Sequence, residues 1–465
     1  MKEIMPFLDP SKKTPLYIQL ADHFKKEITD GNLKANEKLP AKRALSVHLG
    51  LSLNTVQSAY DQLHAEGYVE SVERKGLYVK LAEDHLQQLK TQKQRPISKP
   101  IRERTYRVDF NSGHVDTAHF PYAIWKKLSA EALHEEQQSL LQTGNPQGEF
   151  HLRRAIAGYL YESRGVKCEP DQIVIGAGTQ VLMNLLCLLI GKEHGFAVEN
   201  PGFHRTRTVL KHHGIRMIPV PLDQAGISVS HLHMTEARTV YVTPSHQFPR
   251  GMVMPVSRRM ELLKWAQETD SFIIEDDYDG EYRYKGRPIP ALQGLDGSGR
   301  VFYLGTFSKS MIPSIRLSYF VMPPDFIRKY QEELYIYKQS ASRLHQDALF
   351  RFIDEGHWQR HLNKMRTLYR RKHAVLMDAL HLHLKDQVEI IGEKSGLHIV
   401  LNVKNGLSEE KLIAAAAEKD IKVYPISVYD DDEQNCQSAE ILLGFGGLSE
   451  AEIREGIRLL AEAWK

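Results

Sequence analysis

The second part of the chain alternates short apolar runs with helical stretches, and this alternation restricts the possible fold more than any other feature. Buried strands are indicated by the runs IVIGAG, GFAVEN, TVYVTPS, SFIIEDD and RVFYLGTFS, several of which end in Gly, Ser or Asp. Helical segments such as 181–190 and 258–269 separate them. The pattern predicts an α/β fold with a mostly parallel sheet covered by helices on both faces. Ligands of such sheets bind at the carboxyl ends of the strands, where these polar residues lie.

The sequence predicts two domains joined by a linker. Residues 1–80 form a small domain, residues 81–108 a basic linker, and residues 109–465 a large domain that ends in a smaller α+β lobe. The linker contains two prolines and carries seven basic against three acidic residues, which indicates a semi-extended tether. An exposed helix through residues 82–94 is an equally good interpretation, and it leaves the boundaries unchanged.

The charge of the chain is distributed unevenly. Residues 1–108 contain 19 basic and 13 acidic residues (+6), whereas the other 42 basic and 45 acidic residues give −3, so that the sum is +3. A basic N-terminal part is compatible with a nucleic-acid partner. The three cysteines are far apart, which fits a reducing compartment. The longest apolar stretch is about half of the roughly 20 residues that a membrane span needs. We therefore expect a cytoplasmic protein without a membrane partner.

Residues 14–80 predict a helix-turn-helix followed by a hairpin, or wing. Apolar residues at every fourth position from Leu16 to Ile28 indicate one helix, residues 40–49 a second, and Ser52 suits the N-cap of a third. The start of that third helix would contact base edges in a major groove. Three helices with ordinary caps would show the same pattern, so the pattern alone leaves DNA binding open. The candidate DNA-binding residues are Lys42, Arg43, Ser52, Asn54, Thr55, Gln57, Arg74 and Lys75.

A family resemblance favours the DNA-binding interpretation. The segment from Leu39 to Val79 resembles the winged helix of GntR-type bacterial regulators throughout its length, which implies double-stranded operator DNA as a partner. Two positions depart from the family: Ala41 stands where Ser is frequent, and Leu53 stands where Arg is frequent. The missing arginine removes a phosphate or base contact, so the resemblance does not extend to an operator sequence.

Four polar loops after predicted strands supply the groups that an aldehyde cofactor with a phosphate requires. Such a cofactor needs a lysine for a Schiff base, a carboxylate at the pyridine nitrogen, donors for the phosphate, and a flat side chain against the ring. These groups occur in GAGTQ, PGFH, IIEDDYDGEY and GTFSKSMIPSIR. Each loop alone has an ordinary explanation as a turn, a helix cap or a solvated lysine. Their common position after strands favours one shared site.

This set of loops resembles fold-type I aminotransferases. Together with the GntR-type domain of residues 1–80, called the head below, it resembles the MocR subfamily of regulators, which includes GabR-like proteins. The similarity is dense at GNPQGEFHLRRAI, PSHQFPRGMVMPVSRR, IIEDDYD and GTFSKS. The resemblance implies a winged helix fused to a pyridoxal-phosphate-binding domain of the aminotransferase fold. The family precedent also implies a head-to-tail homodimer.

The resemblance assigns cofactor roles to individual positions. Lys309 would form the Schiff base, Asp276 would pair with the pyridine nitrogen, and Tyr278 would bond the ring hydroxyl. Phe203 would stack on the ring, and His246 would lie near it or have a purely structural role. The phosphate would be held by Gly178, Thr179, Thr306, Ser308 and Arg316.

The resemblance fails where an enzyme would bind its substrate. Aminotransferases of this type hold the substrate carboxylate with a C-terminal arginine, which suits that anion as a bidentate donor. The run ILLGFGGL places Leu442 at that position, and Gly446 where GabR-like proteins supply another arginine. Arg205 matches a further effector-contacting arginine of GabR-like proteins, although an exposed helix cation would look the same.

We therefore predict a transcription regulator that senses an amino compound through Schiff-base chemistry at Lys309, and we assign neither catalytic residues nor a metal site. Three alternatives remain: a sensor of pyridoxal phosphate itself that controls vitamin B6 synthesis, an active aminotransferase, and a regulator whose large domain is only structural. The missing arginines count against the enzyme. The retained set of Lys309, Asp276 and Arg316 counts against a purely structural domain.

Overall fold

The computed structural model describes residues 8–80, 104–284, 289–431 and 439–465. The chain forms two compact units, of which one ends at residue 103 and the other begins at residue 104. The alternative helix through residues 82–94 lies outside the described residues. Within these ranges, every helix is too short or too polar to cross a lipid bilayer.

The first unit is a three-helix domain with a hairpin. Its elements are α1 (Leu16–Thr29), α2 (Lys42–Leu49), α3 (Leu53–Ala65), β1 (Val69–Val72) and β2 (Gly76–Val79), and the two strands pair antiparallel. The predicted apolar faces meet in one core, in which Phe24 and Tyr60 are buried. The second helix begins at Lys42 rather than at the predicted Pro40, because Ala41 has an extended backbone (ψ 137°).

The second unit contains fourteen described strands: β3 (Val108–Asp109), β4 (Ile173–Gly176), β5 (Gly195–Asn200), β6 (Met217–Asp223), β7 (Gly226–Ile227), β8 (Ala237–Val242), β9 (Phe272–Asp277), β10 (Val301–Thr306), β11 (Ser318–Val321), β12 (Val388–Ile391), β13 (His398–Val403), β14 (Ile421–Lys422), β15 (Tyr424–Pro425) and β16 (Glu440–Gly444).

The helices of the second unit are interspersed with these strands along the chain. They are α4 (Tyr122–Ala132), α5 (Phe150–Arg164), α6 (Thr179–Ile190), α7 (His204–His212), α8 (Val229–His233), α9 (Val256–Glu268), α10 (Leu292–Leu295), α11 (Asp325–Lys329), α12 (Arg343–Asp354), α13 (His357–His383), α14 (Glu409–Glu418) and α15 (Glu450–Ala463). Short 3₁₀ segments lie at Glu135–Leu141, Pro170–Gln172, Pro313–Ile315, Lys385–Gln387 and Ser427–Tyr429, and one π-helical turn lies at Tyr330–Leu334.

A mixed, mostly parallel sheet forms the centre of the second unit. Its eight strands run in the order β4-β11-β10-β9-β8-β5-β6-β7. The five strands from β10 to β6 are parallel to their neighbours, whereas β11 and β7 pair antiparallel. Separate buried clusters pack the helices onto the sheet. The predicted mostly parallel sheet is confirmed.

The smaller C-terminal lobe is also confirmed, as a four-stranded antiparallel sheet in the order β12-β13-β16-β15 packed against α13 and α15. The chain enters the second unit through this lobe, because β3 pairs parallel with β14. Arg104 donates a hydrogen bond to the Ala417 carbonyl (2.8 Å), and Arg107 pairs with Glu455 (3.2 Å). The second unit therefore starts at 104, five residues before the expected boundary at 109.

Candidate functional site

The loops of the predicted cofactor site meet at one edge of the large sheet. Gly176 at the end of β4 is aligned with Ser318 at the start of β11, and Ser318 is aligned with Thr306 at the end of β10. On the other side of β10, Gly305 is aligned with Asp277 at the end of β9. The register thus brings the loops after β4, β9 and β10 to the same edge.

The loop before α6 forms a cradle at a helix N-terminus. Gly178 caps the helix with a positive φ of 100°, and Thr179 is its first residue. The Arg316 guanidinium donates to the Ala177 carbonyl (3.0 Å), and a Cβ on Gly178 would lie 2.1 Å from Arg316 Nη2. A helix N-terminus with an adjacent arginine is suited to a phosphate group.

Hydroxyl groups complete the same side of the site. Thr306 Oγ1 accepts hydrogen bonds from the Ser308 backbone N–H (3.1 Å) and from Ser318 Oγ (2.8 Å). The Ala177 N–H donates to Ser340 Oγ (3.0 Å). These bonds fix the two loops whose residues are assigned to the phosphate.

Lys309 follows β10 by three residues, and its amine lies among charged groups. Its Nζ donates a hydrogen bond to the Ser112 carbonyl. Burial lowers the pKa of Lys309 to about 8, with the positive charge of Arg205 lowering the pKa further and Asp279 opposing the shift. A larger fraction of this amine is therefore neutral near pH 8 than for an exposed lysine.

Asp276 is a buried carboxylate near the end of β9. Tyr241 on the neighbouring β8 donates a hydrogen bond to its Oδ2, whereas Oδ1 has no hydrogen-bond partner among the described residues. Burial raises the pKa of Asp276 to about 7; the Tyr241 bond opposes this, and Asp277 and Asp279 reinforce it. A buried oxygen without a partner is costly, which marks Oδ1 as an acceptor for a ligand N–H.

Tyr278, His246, Asp279 and His398 form a buried polar cluster beside Asp276. Tyr278 donates to the His246 carbonyl (2.8 Å), and His246 Nδ1 lies 2.9 Å from Asp279 Oδ2. The His246 and His398 rings are 4.4 Å apart. Two imidazoles and a carboxylate are a donor set found in metal sites, but His246 is bonded to Asp279 and His398 to the Pro249 carbonyl (3.0 Å).

Phe203 and Arg205 lie at the start of α7. The Phe203 ring packs edge-on against Phe248 (5.1 Å between ring centroids), in an apolar cluster that also includes Tyr278. Arg205 is exposed, yet close enough for its charge to lower the pKa of Lys309 and to affect that of Tyr429. Arg205 is therefore close enough to the candidate site to act on it electrostatically, which an unrelated surface cation would not be.

The position at which fold-type I aminotransferases carry their C-terminal substrate-binding arginine is apolar in this chain. Leu442 is fully buried on β16 in the cluster of Phe248, Val400 and Tyr429. Gly446 is equally enclosed, because a Cβ there would lie 2.8 Å from the His114 carbonyl oxygen. Neither position offers a cation to a carboxylate.

The first unit presents the predicted DNA-binding residues around α3. Ser52 caps α3 by accepting from the Thr55 N–H (3.1 Å), and Gln57 donates to Asp61 (2.6 Å). Asn54 is exposed at the start of the same helix. Arg43 is exposed on α2, beside Lys42, and both Arg74 and Lys75 are exposed on the wing.

Comparison with known proteins identifies both units. Residues 16–79 match the gntR family of bacterial regulatory proteins, and residues 107–454 match aminotransferase class I and II. The Bacillus subtilis (strain 168) transcriptional regulator YhdI is 45% identical over 99% of this chain and 98% of its own length. The probable rhizopine catabolism regulatory protein MocR of Rhizobium meliloti is 34% identical over 99% of this chain and 96% of its own.

The chain belongs to the MocR family of GntR-type transcription regulators. Another relative, the pyridoxine biosynthesis regulator PdxR of Corynebacterium glutamicum, is 30% identical to this MocR-type regulator over 98% of this chain and 97% of its own. A solved structure, the kynurenine aminotransferase of Pyrococcus horikoshii in complex with PMP, has a TM-score of 0.69 and 26% identity, and it covers 77% of this chain and 90% of its own.

The residues of this MocR-type regulator fit pyridoxal phosphate, the cofactor of the aminotransferase fold. Asp276 Oδ1 is buried and lacks a described partner, as a pyridine N–H requires. The Gly178 cradle lies beside Arg316 and is open only because residue 178 lacks a side chain. Lys309 provides an amine with a lowered pKa at the same sheet edge.

Several residues of this site were not found from the sequence. Tyr241 lies within the apolar run TVYV, which predicts only a buried strand, yet its hydroxyl donates a hydrogen bond to Asp276. His398 and Ser340 lie far from any motif in sequence. Asp279 is part of the acidic run DDYD and could have been suspected from the sequence. Its contact with His246, however, is visible only in the tertiary structure.

Proposed function

We propose that this MocR-type regulator holds pyridoxal phosphate covalently at Lys309 and uses it to sense an amino compound, which alters how paired winged helices bind operator DNA. The contrast between two positions carries the proposal: Lys309 has a lowered pKa at the sheet edge, whereas Leu442 occupies the place of the substrate-binding arginine.

The roles of the residues follow from their contacts. Asp276 Oδ1 would accept the pyridine N–H, and Tyr241 keeps the carboxylate oriented. The phosphate would be held by Gly178, Thr179, Thr306, Ser308 and Arg316, and Phe203, Tyr278 and His246 would lie around the ring. When bound, the cofactor supplies an aldehyde that bonds reversibly to amines and a ring that withdraws electrons from the attached carbon.

Lys309 serves as the exchangeable amine. Because burial lowers its pKa to about 8, a larger fraction of this amine is neutral near neutral pH than for an exposed lysine, which is the form that would bond to the cofactor's aldehyde when the cofactor is bound. Arg205 disfavours the protonated lysine and is a candidate contact for an anionic part of the effector.

The effector class follows from the apolar side of the site. A carboxylate near Leu442 would lose its hydration without gaining a donor, so we infer an amino compound that does not depend on a clamped carboxylate. For the same reason we infer that transamination is inefficient, since an unanchored substrate is poorly oriented for proton removal.

The regulatory coupling requires two heads and two states. We infer a cytoplasmic, head-to-tail homodimer, in which the effector favours one arrangement of the winged helices over another. Phosphates would be contacted by Lys42, Arg43, Arg74 and Lys75, and bases by the start of α3.

A second candidate is a sensor of pyridoxal phosphate itself. The absence of an arginine at Leu442 and Gly446 favours it, since free cofactor needs no substrate clamp. The name of the relative PdxR, a regulator of pyridoxine biosynthesis, agrees with this alternative.

A visible absorption spectrum of the purified protein tests the proposal. We expect an absorption band of covalently bound cofactor that Lys309→Ala abolishes, whereas Lys192→Ala, a change of an exposed lysine in the same unit, keeps it. A protein that stays colourless with added pyridoxal phosphate would contradict the proposal.

The choice of effector is then decided by DNA retardation. Titration with amines at saturating cofactor should change both the absorption band and operator retardation. If only the addition of pyridoxal phosphate to cofactor-free protein changes retardation, the second candidate is correct.

A further inference from the structure

The first turn of α3 contains two exposed side chains that are not used within the head. Ser52 and Thr55 share a hydrogen bond between their hydroxyls (2.8 Å), and Ser52 also caps the helix. Leu53 is 43% exposed and lies outside the buried core of the head. Asn54 is exposed, and its side chain has no hydrogen bond to a described residue. Leu53 and Asn54 are therefore available to a ligand.

The composition of α3 limits which bases the helix can select. The commonest specific contact to guanine comes from Arg or Lys, which bond its O6 and N7 atoms. Leu53–Ala65 contains neither residue, and Gln57 is held by Asp61 (2.6 Å). Exposed cations flank α3 on α2 and on the wing, at Arg43, Arg74 and Lys75, and further exposed lysines lie outside α3 at Lys12, Lys13, Lys26, Lys34, Lys38 and Lys80. The helix that enters the groove is neutral at its start, and phosphate contacts are left to the flanking elements.

The side chains of Leu53 and Asn54 are both complementary to groups of an A·T base pair in the major groove. An apolar side chain in the major groove packs against the C5-methyl group of thymine, which is the main apolar feature of that groove. An asparagine bonds the N6 and N7 atoms of adenine with its amide. Leu53 and Asn54 both lie in the exposed first turn of α3, so both are within reach of the stretch of groove that this turn enters.

We propose that Leu53 and Asn54 make this head select A·T base pairs, with Leu53 against a thymine methyl group and Asn54 on an adenine edge. The proposal rests on the proposed binding of operator DNA by this head. It explains why an exposed leucine stands at the start of the helix: its apolar surface is covered when DNA is bound.

Selection from a random double-stranded DNA library, with the full-length cofactor-loaded protein, tests the base preference. We expect the wild type to enrich sites with a fixed thymine and a fixed adenine. Leu53→Ala should lose the thymine preference, and Asn54→Ala the adenine preference. Leu382→Ala, an equal change at a 66% exposed leucine on α13, should enrich the wild-type site. Arg43→Ala should weaken binding to all sequences alike and leave the preference unchanged.

The methyl contact is isolated by replacing the selected thymine with uracil, which removes only the C5-methyl group. The wild type should lose affinity about fourfold, the equivalent of one buried methyl-sized group. Leu53→Ala should show no loss on the same replacement, so that a double-mutant cycle assigns the methyl group to Leu53. Replacing the adenine with 7-deazaadenine should weaken the wild type but not Asn54→Ala.

Two results would overturn the proposal while DNA binding stands. One is an equal loss on uracil substitution in the wild type and in Leu53→Ala. The other is an unchanged thymine preference in Leu53→Ala together with a changed sedimentation coefficient, which would assign Leu53 to a protein contact. If the wild type enriches no sequence and retards no DNA in any cofactor state, the proposed function itself fails, and the base selection with it.

Discussion

The two sides of the candidate cofactor site differ in what they offer a ligand. The side assigned to the cofactor has unsatisfied or lightly engaged polar groups: Asp276 Oδ1, the Gly178 cradle and the Lys309 amine. The side where an aminotransferase would hold its substrate is closed by Leu442, Phe248 and Tyr429. The proposed function depends on this difference, because it assigns cofactor binding to the polar side and no substrate anchor to the apolar side.

The largest expected effect is on stability, from an arginine at position 442 on the apolar side of the site. Leu442→Arg places an unpaired cation in a fully buried apolar cluster, and we expect it to lower the free energy of unfolding by about 3–5 kcal/mol. Leu442→Met keeps the volume and should cost less than about 1.5 kcal/mol. Chemical denaturation measures both. A stable Leu442→Arg protein that gains transaminase activity would show that the apolar side is a vacant substrate site.

Asp276→Asn tests the polar side directly. The amide keeps the shape of the carboxylate and removes its charge, so the affinity for pyridoxal phosphate should fall roughly 10- to 100-fold, the range for a hydrogen bond to a charged group. Titration of cofactor-free protein with pyridoxal phosphate gives the dissociation constant. Asp325→Asn, at an exposed carboxylate of the same unit, is the control. Equal affinities for wild type and Asp276→Asn would remove Asp276 from the site.

Gly178→Ala tests the phosphate cradle with a matched control on the same helix. A Cβ at Gly178 would collide with Arg316, whereas one at Gly191, with a similar φ of 94°, meets no atom of the described residues within 4 Å. Both changes strain the backbone by about 1–3 kcal/mol, but only Gly178→Ala should weaken pyridoxal phosphate binding, by about tenfold. Binding of pyridoxal, which lacks the phosphate, should be the same in both variants. An equal loss in both would make the effect one of strain alone.

The smallest expected effect is that of pH on the rate at which the cofactor attaches to Lys309. Because burial lowers the pKa of Lys309 to about 8, the neutral amine increases with pH and levels off above that value. The attachment rate should rise about fivefold from pH 7 to pH 8 and be nearly constant above pH 9. Stopped-flow absorbance measures this rate. A rate that keeps rising tenfold per pH unit to pH 10 would indicate an ordinary exposed lysine.

The parts of the structure that were predictable from the sequence are those set by local pattern. The four-residue spacing from Leu16 to Ile28, the Ser52 cap and the apolar runs that end in polar residues each describe a helix, a cap or a strand. The clustering of Lys309, Asp276 and Gly178 followed from one general rule about the carboxyl ends of parallel strands.

The parts that escaped prediction depend on contacts between distant segments. Tyr241 looked like core because it lies in an apolar strand, and only the register of β8 beside β9 places its hydroxyl on Asp276. The boundary at 109 was placed by composition, which does not register that Val108 pairs with Ile421. Ser340 supports the cradle from 163 residues away through one hydrogen bond.

The parallel pairing of β3 with β14 determines which part of the second unit holds its first residues. The Arg107 and Val108 amides donate to the Asp420 carbonyl (3.0 and 3.4 Å), and Phe110 donates to that of Lys422 (3.0 Å). The start of the second unit is thereby fixed to the small lobe and not to the large sheet. Any rotation of that lobe against the sheet therefore carries residues 104–110 with it.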